Sequence, residues 1–464
     1  MARGREGGRR AYVNARLFDP GQRLDGTGGI IVADGRVIAV GPEVTPANAG
    51  AGAQIVDCRG RLLFPGLVDM RVFTGEPGNE LRETLASASE AAAAGGVTTM
   101  IVMPNTAPVI DDAAIVDFVL RRARDTAAVR VAPMAAMTKG LKGEAMTEFG
   151  LLKEAGAVAV TDGNRAVANA RLFRRALAYA NDFGLLVVQH VEEPALAVGV
   201  MHEGEVSTRL GLQGIPAAAE VIMLERDIRL VELTGARYHA AQVSCAASLE
   251  VIRRAKAQGL PVSCGVSVNH LVLNENDVGA YRTFFKLSPP LRSEDDRKAL
   301  VAGVDDGTID VVVSSHDPQS ADTKRLPFAE AEFGATGLFT SPTAVRLLAR
   351  YGDGTLGFGG KMINCASGNF LCTIDTSFFT SSIKPGGIAW PAVVLLTALL
   401  NARHLLYSAA LAPWLPIDDP NDLIQACYPA PADLEARRAI WQAELSNQSD
   451  AFRRAFEDAA THDP

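Results

Sequence analysis

The sequence Leu-Leu-Phe-Pro-Gly-Leu-Val-Asp-Met-Arg-Val-Phe-Thr-Gly-Glu-Pro-Gly occupies residues 62–78 and marks the point at which the predicted fold changes. An apolar run ends at Pro65-Gly66, and a short strand is predicted over residues 67–72. Glu76-Pro77-Gly78 then predicts a turn, because Pro fixes φ and Gly tolerates positive φ. This stretch therefore ends one unit of the chain and begins another.

The segment before this stretch, residues 1–64, predicts a small β-domain. Apolar runs at 29–32 and 37–40 flank Asp34-Gly35, and Asp-Gly supplies the positive φ that a tight hairpin turn needs. Residues 55–64 predict one further strand before the main domain starts.

From Leu67 onward, apolar β-rich runs alternate with helical segments, which predicts an α/β fold. The runs are 67–72, 98–103, 129–134, 157–160, 185–188, 238–243, 261–266 and 309–313. Strands that are apolar on both faces and separated by helices are typical of parallel sheets. Residues 65–348 therefore predict a (β/α)8 TIM-type barrel. A doubly wound sheet is the alternative, but no Gly-rich phosphate fingerprint follows an early strand.

Composition and charge exclude several classes of function. The chain has 464 residues, 48% of them hydrophobic, and a net charge of −8, which provides no basic surface for nucleic acid. The sequence predicts neither a secretory h-region nor a membrane span. The six cysteines include no Cys-x-x-Cys pair, so we expect buried thiols in a cytoplasmic protein.

Several motifs resemble segments of the dihydroorotase branch of the amidohydrolases. They are 62–78, 103–106, 161–163, 189–193, 214–220, 288–292, 310–319 and 326–330. The resemblance covers residues 11 to about 348. It implies an amidohydrolase barrel, hydrolysis of a cyclic amide at a metal site, and a place in pyrimidine biosynthesis.

The resemblance assigns family roles to four polar residues. Asp162 matches a carboxylate metal ligand, and His190 matches a histidine ligand. Asn105 matches a substrate-binding asparagine, and His316 follows the position of the catalytic aspartate. We interpret Asp162 and His190 as vestigial metal ligands, and Asn105 and His316 as vestigial substrate-binding residues.

Five other positions depart from the family pattern. Arg71 and Phe73 replace the His-x-His metal pair, and Gly75 replaces a substrate-binding arginine. Gln242 replaces a histidine ligand, and Ser315 replaces the aspartate that acts as general base. A serine without a partner has no acid–base capacity near neutral pH, and a permanent cation such as Arg71 repels a divalent ion. We therefore expect no catalytic residue and no assembled hydrolytic site.

Two functions remain open. The first is a non-catalytic dihydroorotase homologue without a cofactor, which resembles the family's pseudo-enzymes that assemble with aspartate carbamoyltransferase; a homo-oligomer is also possible. The alternative is an active cyclic amidohydrolase with a reduced zinc site. That site would use Asp162, His190, His316 and Asp317. The five departures favour the structural subunit.

Three basic residues stand near the mouth of the predicted barrel, Arg292, Lys324 and Arg325. They could face an acidic partner or be solvated. We expect them to be solvated, because most cations near a surface contribute little through pairing.

Residues 349–464 form a divergent tail of unassigned structure. The Ala-Asp-Leu strand motif with which the family completes its small β-domain is not found there. Residues 392–415 faintly resemble part of a branched-chain amino-acid permease. A changed reading frame or a fused gene fragment would explain both features.

Overall fold

The computed structural model of the protein describes residues 8–19, 22–338 and 371–374. Within these ranges, an N-terminal sheet precedes a larger unit in which strands and helices alternate. The last N-terminal strand ends at Pro65 and the next strand begins at Leu67. The chain thus passes from one sheet to the other within the Pro65-Gly66 step.

The N-terminal sheet is built around its first strand. Its strands are β1 Arg10–Asp19, β2 Leu24–Ala33, β3 Arg36–Gly41, β4 Gln54–Asp57 and β5 Leu62–Pro65. β1 pairs antiparallel with β2 and parallel with β4 and β5, and β2 pairs antiparallel with β3. Asp34 and Gly35 join β2 to β3 with φ of 49° and 75°, so the predicted hairpin turn is confirmed.

The prediction of one strand over residues 55–64 is wrong, because the chain turns inside it. β4 ends at Asp57 and β5 begins at Leu62. Between them, Arg59 and Gly60 have φ of 53° and 75°, a left-handed backbone that interrupts an extended strand. The Asp57 carboxylate accepts a hydrogen bond from the Arg59 N–H at 2.9 Å and stabilises this turn.

One further strand of this sheet comes from far along the chain. Leu371–Ile374 pairs antiparallel with β5, with Leu371 opposite Pro65 and Ile374 opposite Leu62. The segment for which the sequence assigned no structure thus contributes a strand to the N-terminal sheet. The rest of that segment, including residues 392–415, lies outside the described residues.

The larger unit alternates strands with helices. Its strands are β6 Leu67–Val72, β7 Val97–Val102, β8 Arg130–Pro133, β9 Ala159–Val160, β10 Leu186–Gln189, β11 Met201–His202, β12 Gly214–Ile215, β13 Tyr238–Ala240, β14 Val262–Ser267 and β15 Val311–Val313. Its helices are α1 Leu85–Ala94, α2 Ala113–Thr126, α3 Phe149–Ala155, α4 Ala170–Asp182, α5 Glu205–Leu210, α6 Ala217–Thr234, α7 Ala246–Ala257, α8 Val268–Val272, α9 Glu294–Asp305 and α10 Ala321–Lys324. No described helix combines the length and apolar character that crossing a membrane requires.

Eight strands in the described part of this unit pair in parallel and in chain order. β6, β7 and β8 form one sheet, and β9, β10, β13, β14 and β15 form another. Bridges between Ala135 and Val160 and between Val72 and His316 join the two sheets at both edges. We call these eight strands the strand ring, because the order of pairing returns to β6. The predicted α/β architecture is confirmed, and the pairing order differs from that of a doubly wound sheet.

The helices cover the strand ring with apolar faces. The Asn169 side chain begins α4 by accepting hydrogen bonds from the N–H groups of Arg171 and Leu172, both at 3.1 Å. Phe173 of α4 is fully buried, and its ring meets that of Tyr238 in β13 edge to face, with 6.4 Å between centroids. This contact anchors the helix to the strand ring.

Three described cysteines, Cys58, Cys245 and Cys264, are buried and unpaired, as predicted. Burial, reinforced by the Glu220 carboxylate, raises the pKa of Cys245 to about 12. The thiol therefore stays protonated at neutral pH and is a poor nucleophile.

We expect Phe173→Ala to lower the free energy of unfolding by about 3–5 kcal/mol, because it leaves a cavity among fully buried side chains. Phe118 on α2 is 38% exposed and provides the matched control; Phe118→Ala should cost about 1 kcal/mol at most. Urea unfolding followed by circular dichroism measures both. Equal losses in the two variants would contradict the packing of α4 on β13.

Candidate functional site

The C-terminal ends of the ring strands and the loops after them surround a pocket. The pocket wall includes six residues that lie in or soon after ring strands, namely Arg71, Phe73, Asn269, His270, Ser315 and Asp317. Asn105, Asp162, His190, Gln242 and His316 lie outside this wall. Three of the five positions that depart from the family pattern, Arg71, Phe73 and Ser315, therefore line the pocket, whereas the four vestigial site residues do not.

Arg71, in β6, is a buried cation in the pocket wall. Arg71 is only 3% exposed, and its Nη1 donates a hydrogen bond to the Gly163 carbonyl oxygen at 3.3 Å. The guanidinium carbon lies 5.1 Å from the centroid of the Phe73 ring, within range of a cation–π interaction. Burial lowers the pKa of Arg71 to about 10, and the nearby Asp317 opposes this shift. Arg71 therefore remains positively charged at neutral pH.

Asp162 follows β9 and is fully engaged with the loop after β8. Its Oδ1 accepts hydrogen bonds from the N–H groups of Met137 and Thr138, both at 2.9 Å. Its Oδ2 accepts from the Thr138 hydroxyl at 2.5 Å. Burial raises the pKa of Asp162, although these hydrogen bonds act in the opposite direction. The carboxyl group thus ties two neighbouring strand ends together.

His190, after β10, lies beside a carboxylate. Its Nε2 is 3.1 Å from Glu192 Oε2 and 3.3 Å from Ser288 Oγ, whereas its Nδ1 has no partner among the described residues. Gln242, after β13, is buried with neither amide atom hydrogen-bonded within the described chain. Buried polar atoms of this kind cost free energy unless water or a ligand contacts them.

His316, after β15, is tied to the surrounding backbone. Its Nδ1 accepts a hydrogen bond from the Gly337 N–H at 3.1 Å, and its Nε2 lies 3.0 Å from Glu83 Oε2. Because a backbone N–H can only donate, Nδ1 carries no proton and Nε2 donates to Glu83. Both ring nitrogens of His316 are therefore occupied.

Asp317 is the acidic residue of the pocket wall. Its Oδ1 accepts hydrogen bonds from Arg82 at 2.8 Å and from Gln319 at 3.0 Å. Burial raises the pKa of Asp317, while Arg82 and Arg71 act to lower it. Ser315, two residues earlier, has a positive φ of 53° and also lines the pocket.

Gly75 lies in a turn that leaves no room for a side chain. Its N–H donates to the Glu83 carbonyl at 2.9 Å and its carbonyl accepts from the Asn79 N–H at 2.6 Å. A Cβ atom at this position would lie 1.8 Å from the Asn79 carbonyl oxygen. An arginine here would require the backbone to move.

The expectation of solvation holds for Arg325, which is exposed, and is wrong for Arg292 and Lys324. Arg292 is 2% exposed and donates to the Ser244 hydroxyl at 3.0 Å and to the Ile215 carbonyl at 2.7 Å. Lys324 is 6% exposed and its Nζ donates to the carbonyls of Thr283 and Glu332. Burial lowers the pKa of Lys324 to about 8, against the pull of Asp317. Backbone carbonyls take the place of water for both cations.

Sequence reasoning did not single out Asn164, Ser267 and Phe333, which also line the pocket. Ser267 is the last residue of β14, so the rule that barrel sites lie at strand ends could have found it. Asn164 closely follows β9, and its Oδ1 accepts a hydrogen bond from Asn105 Nδ2 at 2.9 Å. Phe333 lies outside the helices and strands, and no local pattern indicates its position.

We expect Asp162→Ala to lower the free energy of unfolding by about 3 kcal/mol, because two N–H groups and one hydroxyl lose their acceptor. Asp162→Asn retains Oδ1 for both N–H groups and should cost about 1 kcal/mol. Urea unfolding of the two variants measures the difference. Unchanged stability in Asp162→Ala would show that the carboxyl group does not hold the strand ends together.

Comparison with known proteins shows similarity over most of the chain. The family model described as Dihydro-orotase-like matches residues 60–248. Proteins named dihydroorotase from Syntrophobacter fumaroxidans and Anaeromyxobacter sp. (strain K) are 43% and 46% identical over 341 residues, which cover 73% of this chain and 78% of each relative. The dihydroorotase of Geobacter metallireducens is 41% identical over 403 residues, covering 86% of this chain and 93% of the relative. Residues 1–348 are three-quarters of the chain, so a match that covers 86% of the chain must include part of residues 349–464. The expected end of the family resemblance, at about residue 348, is therefore too early.

Solved structures share the fold. The L-hydantoinase of Arthrobacter aurescens has a TM-score of 0.63 at 23% identity, covering 71% of this chain and 75% of its own. The dihydropyrimidinase of Brevibacillus agri has a TM-score of 0.61 at 20% identity, covering 74% of this chain and 77% of its own. These identities indicate the fold alone, whereas the curated relatives identify the family. The chain belongs to the dihydroorotase family.

Proposed function

We propose that this protein is a non-catalytic member of the dihydroorotase family that acts as a structural subunit. Its main support is the buried guanidinium of Arg71, which lines the pocket together with Ser315 and Asp317. Hydrolysis of a cyclic amide needs an activated water and a group that accepts its proton. Arg71 carries a positive charge but, unlike a metal ion, has no open coordination position that could bind and activate water. Ser315 carries a hydroxyl group but has no base to activate it.

We infer further that the strand ring is a (β/α)8 barrel of the amidohydrolase type. Parallel pairing in chain order and bridges at both sheet edges support this inference. The fold similarity to the hydantoinase and the dihydropyrimidinase supports it as well. In such a barrel, function lies at the C-terminal ends of the strands, where the pocket is found.

The donors around the pocket do not fit a hydrolytic zinc centre. Catalytic zinc needs about three converging protein ligands and one open position. Asp162 uses both carboxylate oxygens, and His316 uses both ring nitrogens, in hydrogen bonds. In the part of the chain that the structure describes, no group of three His, Cys, Asp or Glu side chains is arranged to hold a metal ion. These contacts support a degenerate metal site.

One observation favours the alternative, an active amidohydrolase with a reduced site. Asp317 lines the pocket, and burial raises its pKa toward the range that suits a general base. Its Oδ1, however, is bonded to Arg82 and Gln319, and His190 Nε2 faces Glu192 rather than Asp317. The candidate ligands therefore do not converge, and the structural role remains the better supported of the two.

We propose aspartate carbamoyltransferase as the partner of this subunit. The resemblance to pseudo-enzymes that assemble with that enzyme motivates the choice. A well-packed core, such as the Phe173–Tyr238 contact, persists beside a pocket without catalytic groups. A chain that keeps its fold while losing its chemistry suits a role in supporting another protein.

We expect the chain to hold no stoichiometric zinc and to show no ring opening of dihydroorotate after incubation with zinc and desalting, because the ligands do not converge. Mass spectrometry of metal content and an absorbance assay measure the two quantities. An active dihydroorotase treated in the same way is the positive control. One or more zinc ions per chain, lost in His190→Ala together with ring-opening activity, would contradict the proposal and establish the alternative.

We also expect the chain to co-elute with aspartate carbamoyltransferase from the same cell in size-exclusion chromatography at micromolar concentrations. A subunit that supports a partner must bind it at concentrations where both are folded. Phe118→Ala, with its mild expected effect on stability, serves as a folded comparison. Separate elution of the two proteins would refute the partnership without bearing on the metal result.

A further inference from the structure

We propose that the pocket binds a small oxyanion, a carboxylate or a phosphate, through the Arg71 guanidinium and the Asn269 amide. This proposal goes beyond the structural role, because a scaffold needs no ligand. It requires neither a metal ion nor a partner protein. It places an anion site at the strand ends, where the family resemblance implies a metal site.

The first support is the charge balance of the pocket wall. Arg71 is 3% exposed and forms no ion pair within 4 Å among the described residues. The acidic group that acts electrostatically on Arg71 is Asp317, whose Oδ1 is held by Arg82 at 2.8 Å. Since Arg82 is the direct ion-pair partner of Asp317, Asp317 acts on Arg71 only from beyond ion-pair distance, and Arg71 has no direct counterion within the described chain. An isolated buried charge is costly, and an anion bound beside it would offset that cost.

The second support is a pair of unsatisfied donors. Arg71 Nε and Asn269 Nδ2 are buried and have no hydrogen-bond partner within the described chain, and both residues line the pocket. Both atoms can only donate, so the group that satisfies them must be an acceptor. Guanidinium and amide donors together match the oxygens of a carboxylate or a phosphate. A metal cation would meet no acceptor at either atom.

The rest of the wall agrees with a small polar ligand. Ser267 and Ser315 provide hydroxyl groups that can donate to an oxyanion. Phe73, Leu287 and Phe333 provide apolar walls that exclude water and strengthen charge-assisted hydrogen bonds.

His270 does not compete for the role of anion donor. Its Nε2 lies 3.0 Å from the Pro289 carbonyl oxygen, to which it must donate, so its Nδ1 is a bare acceptor. Burial lowers the pKa of His270 to about 4, and the ring is neutral at pH 7. Arg71 is therefore the permanent cation of the wall and sets its preference for a negative ligand.

Isothermal titration calorimetry of the full chain with sodium acetate and with sodium phosphate tests the proposal. The protein is dialysed against a chelator first, and ionic strength is held constant with chloride, so binding through a metal ion is excluded. We expect saturable binding of at least one anion. Acetate alone would assign a carboxylate ligand, and phosphate alone a phosphoryl ligand. The absence of saturable binding with either anion at millimolar concentrations would overturn the proposal.

Two variants and one control locate the site. Arg71→Met removes the charge at similar side-chain length, and Asn269→Asp replaces the donor with a negative charge at nearly constant shape. Each should weaken anion binding at least tenfold, a change of about 1.4 kcal/mol. Arg121→Met removes the same charge from a side chain that is 60% exposed on α2 and should bind as the unaltered protein does.

Unaltered affinity in a folded Arg71→Met or Asn269→Asp variant would overturn the proposal. Asn269→Asp provides the test on its own if Arg71→Met does not fold, as judged by circular dichroism. The outcome is separate from that of the zinc experiment. Anion binding by chelator-treated protein would stand even if zinc restored hydrolysis, and a missing partner would not affect either titration.

Discussion

The hydrogen bond from the Phe73 N–H to the His316 carbonyl, 2.7 Å long, joins the end of the first ring strand to the segment after the last one. With the bridge between Val72 and His316, it closes the order of strand pairing. Closure brings together residues that are more than 200 positions apart in sequence, and so Arg71 comes to share a pocket wall with Ser315 and Asp317. The electrostatics of the pocket depend on this contact.

Much of the fold could be predicted because strand periodicity and turn chemistry are local. Residues 67–72 form a strand with the predicted bounds, and Asp34-Gly35 forms the predicted turn. The division of residues 55–64 into β4 and β5 could not be predicted in the same way. It depends on positive φ at Arg59, a non-glycine residue for which sequence gives no strong signal.

The sequence indicates which residues lie at the candidate site better than it indicates the contacts that their side chains form. The C-terminal ends of the ring strands and the positions just after them include Arg71 and Asp317, because parallel strands present these ends at one face. The sequence does not indicate that Arg82 pairs with Asp317, nor that carbonyl groups solvate Lys324. Those contacts link segments far apart in the chain, and long side chains can reach several partners at similar cost.

The acidic groups near the pocket show why a change at a single position would not rebuild a hydrolytic centre. The carboxyl group of Asp162 accepts hydrogen bonds from backbone N–H groups, that of Asp317 from the Arg82 guanidinium, and that of Glu83 from the His316 ring. A metal-dependent site needs such groups to be compensated by the ion instead, with their lone pairs directed toward it. Ser315→Asp would add a carboxylate to the same pocket wall as Arg71, and the attraction between these opposite charges would compete with the binding of a cation. The loss of chemistry proposed for this protein is therefore a property of the whole hydrogen-bond network, because each donor that replaces the ion also fixes a strand end in place.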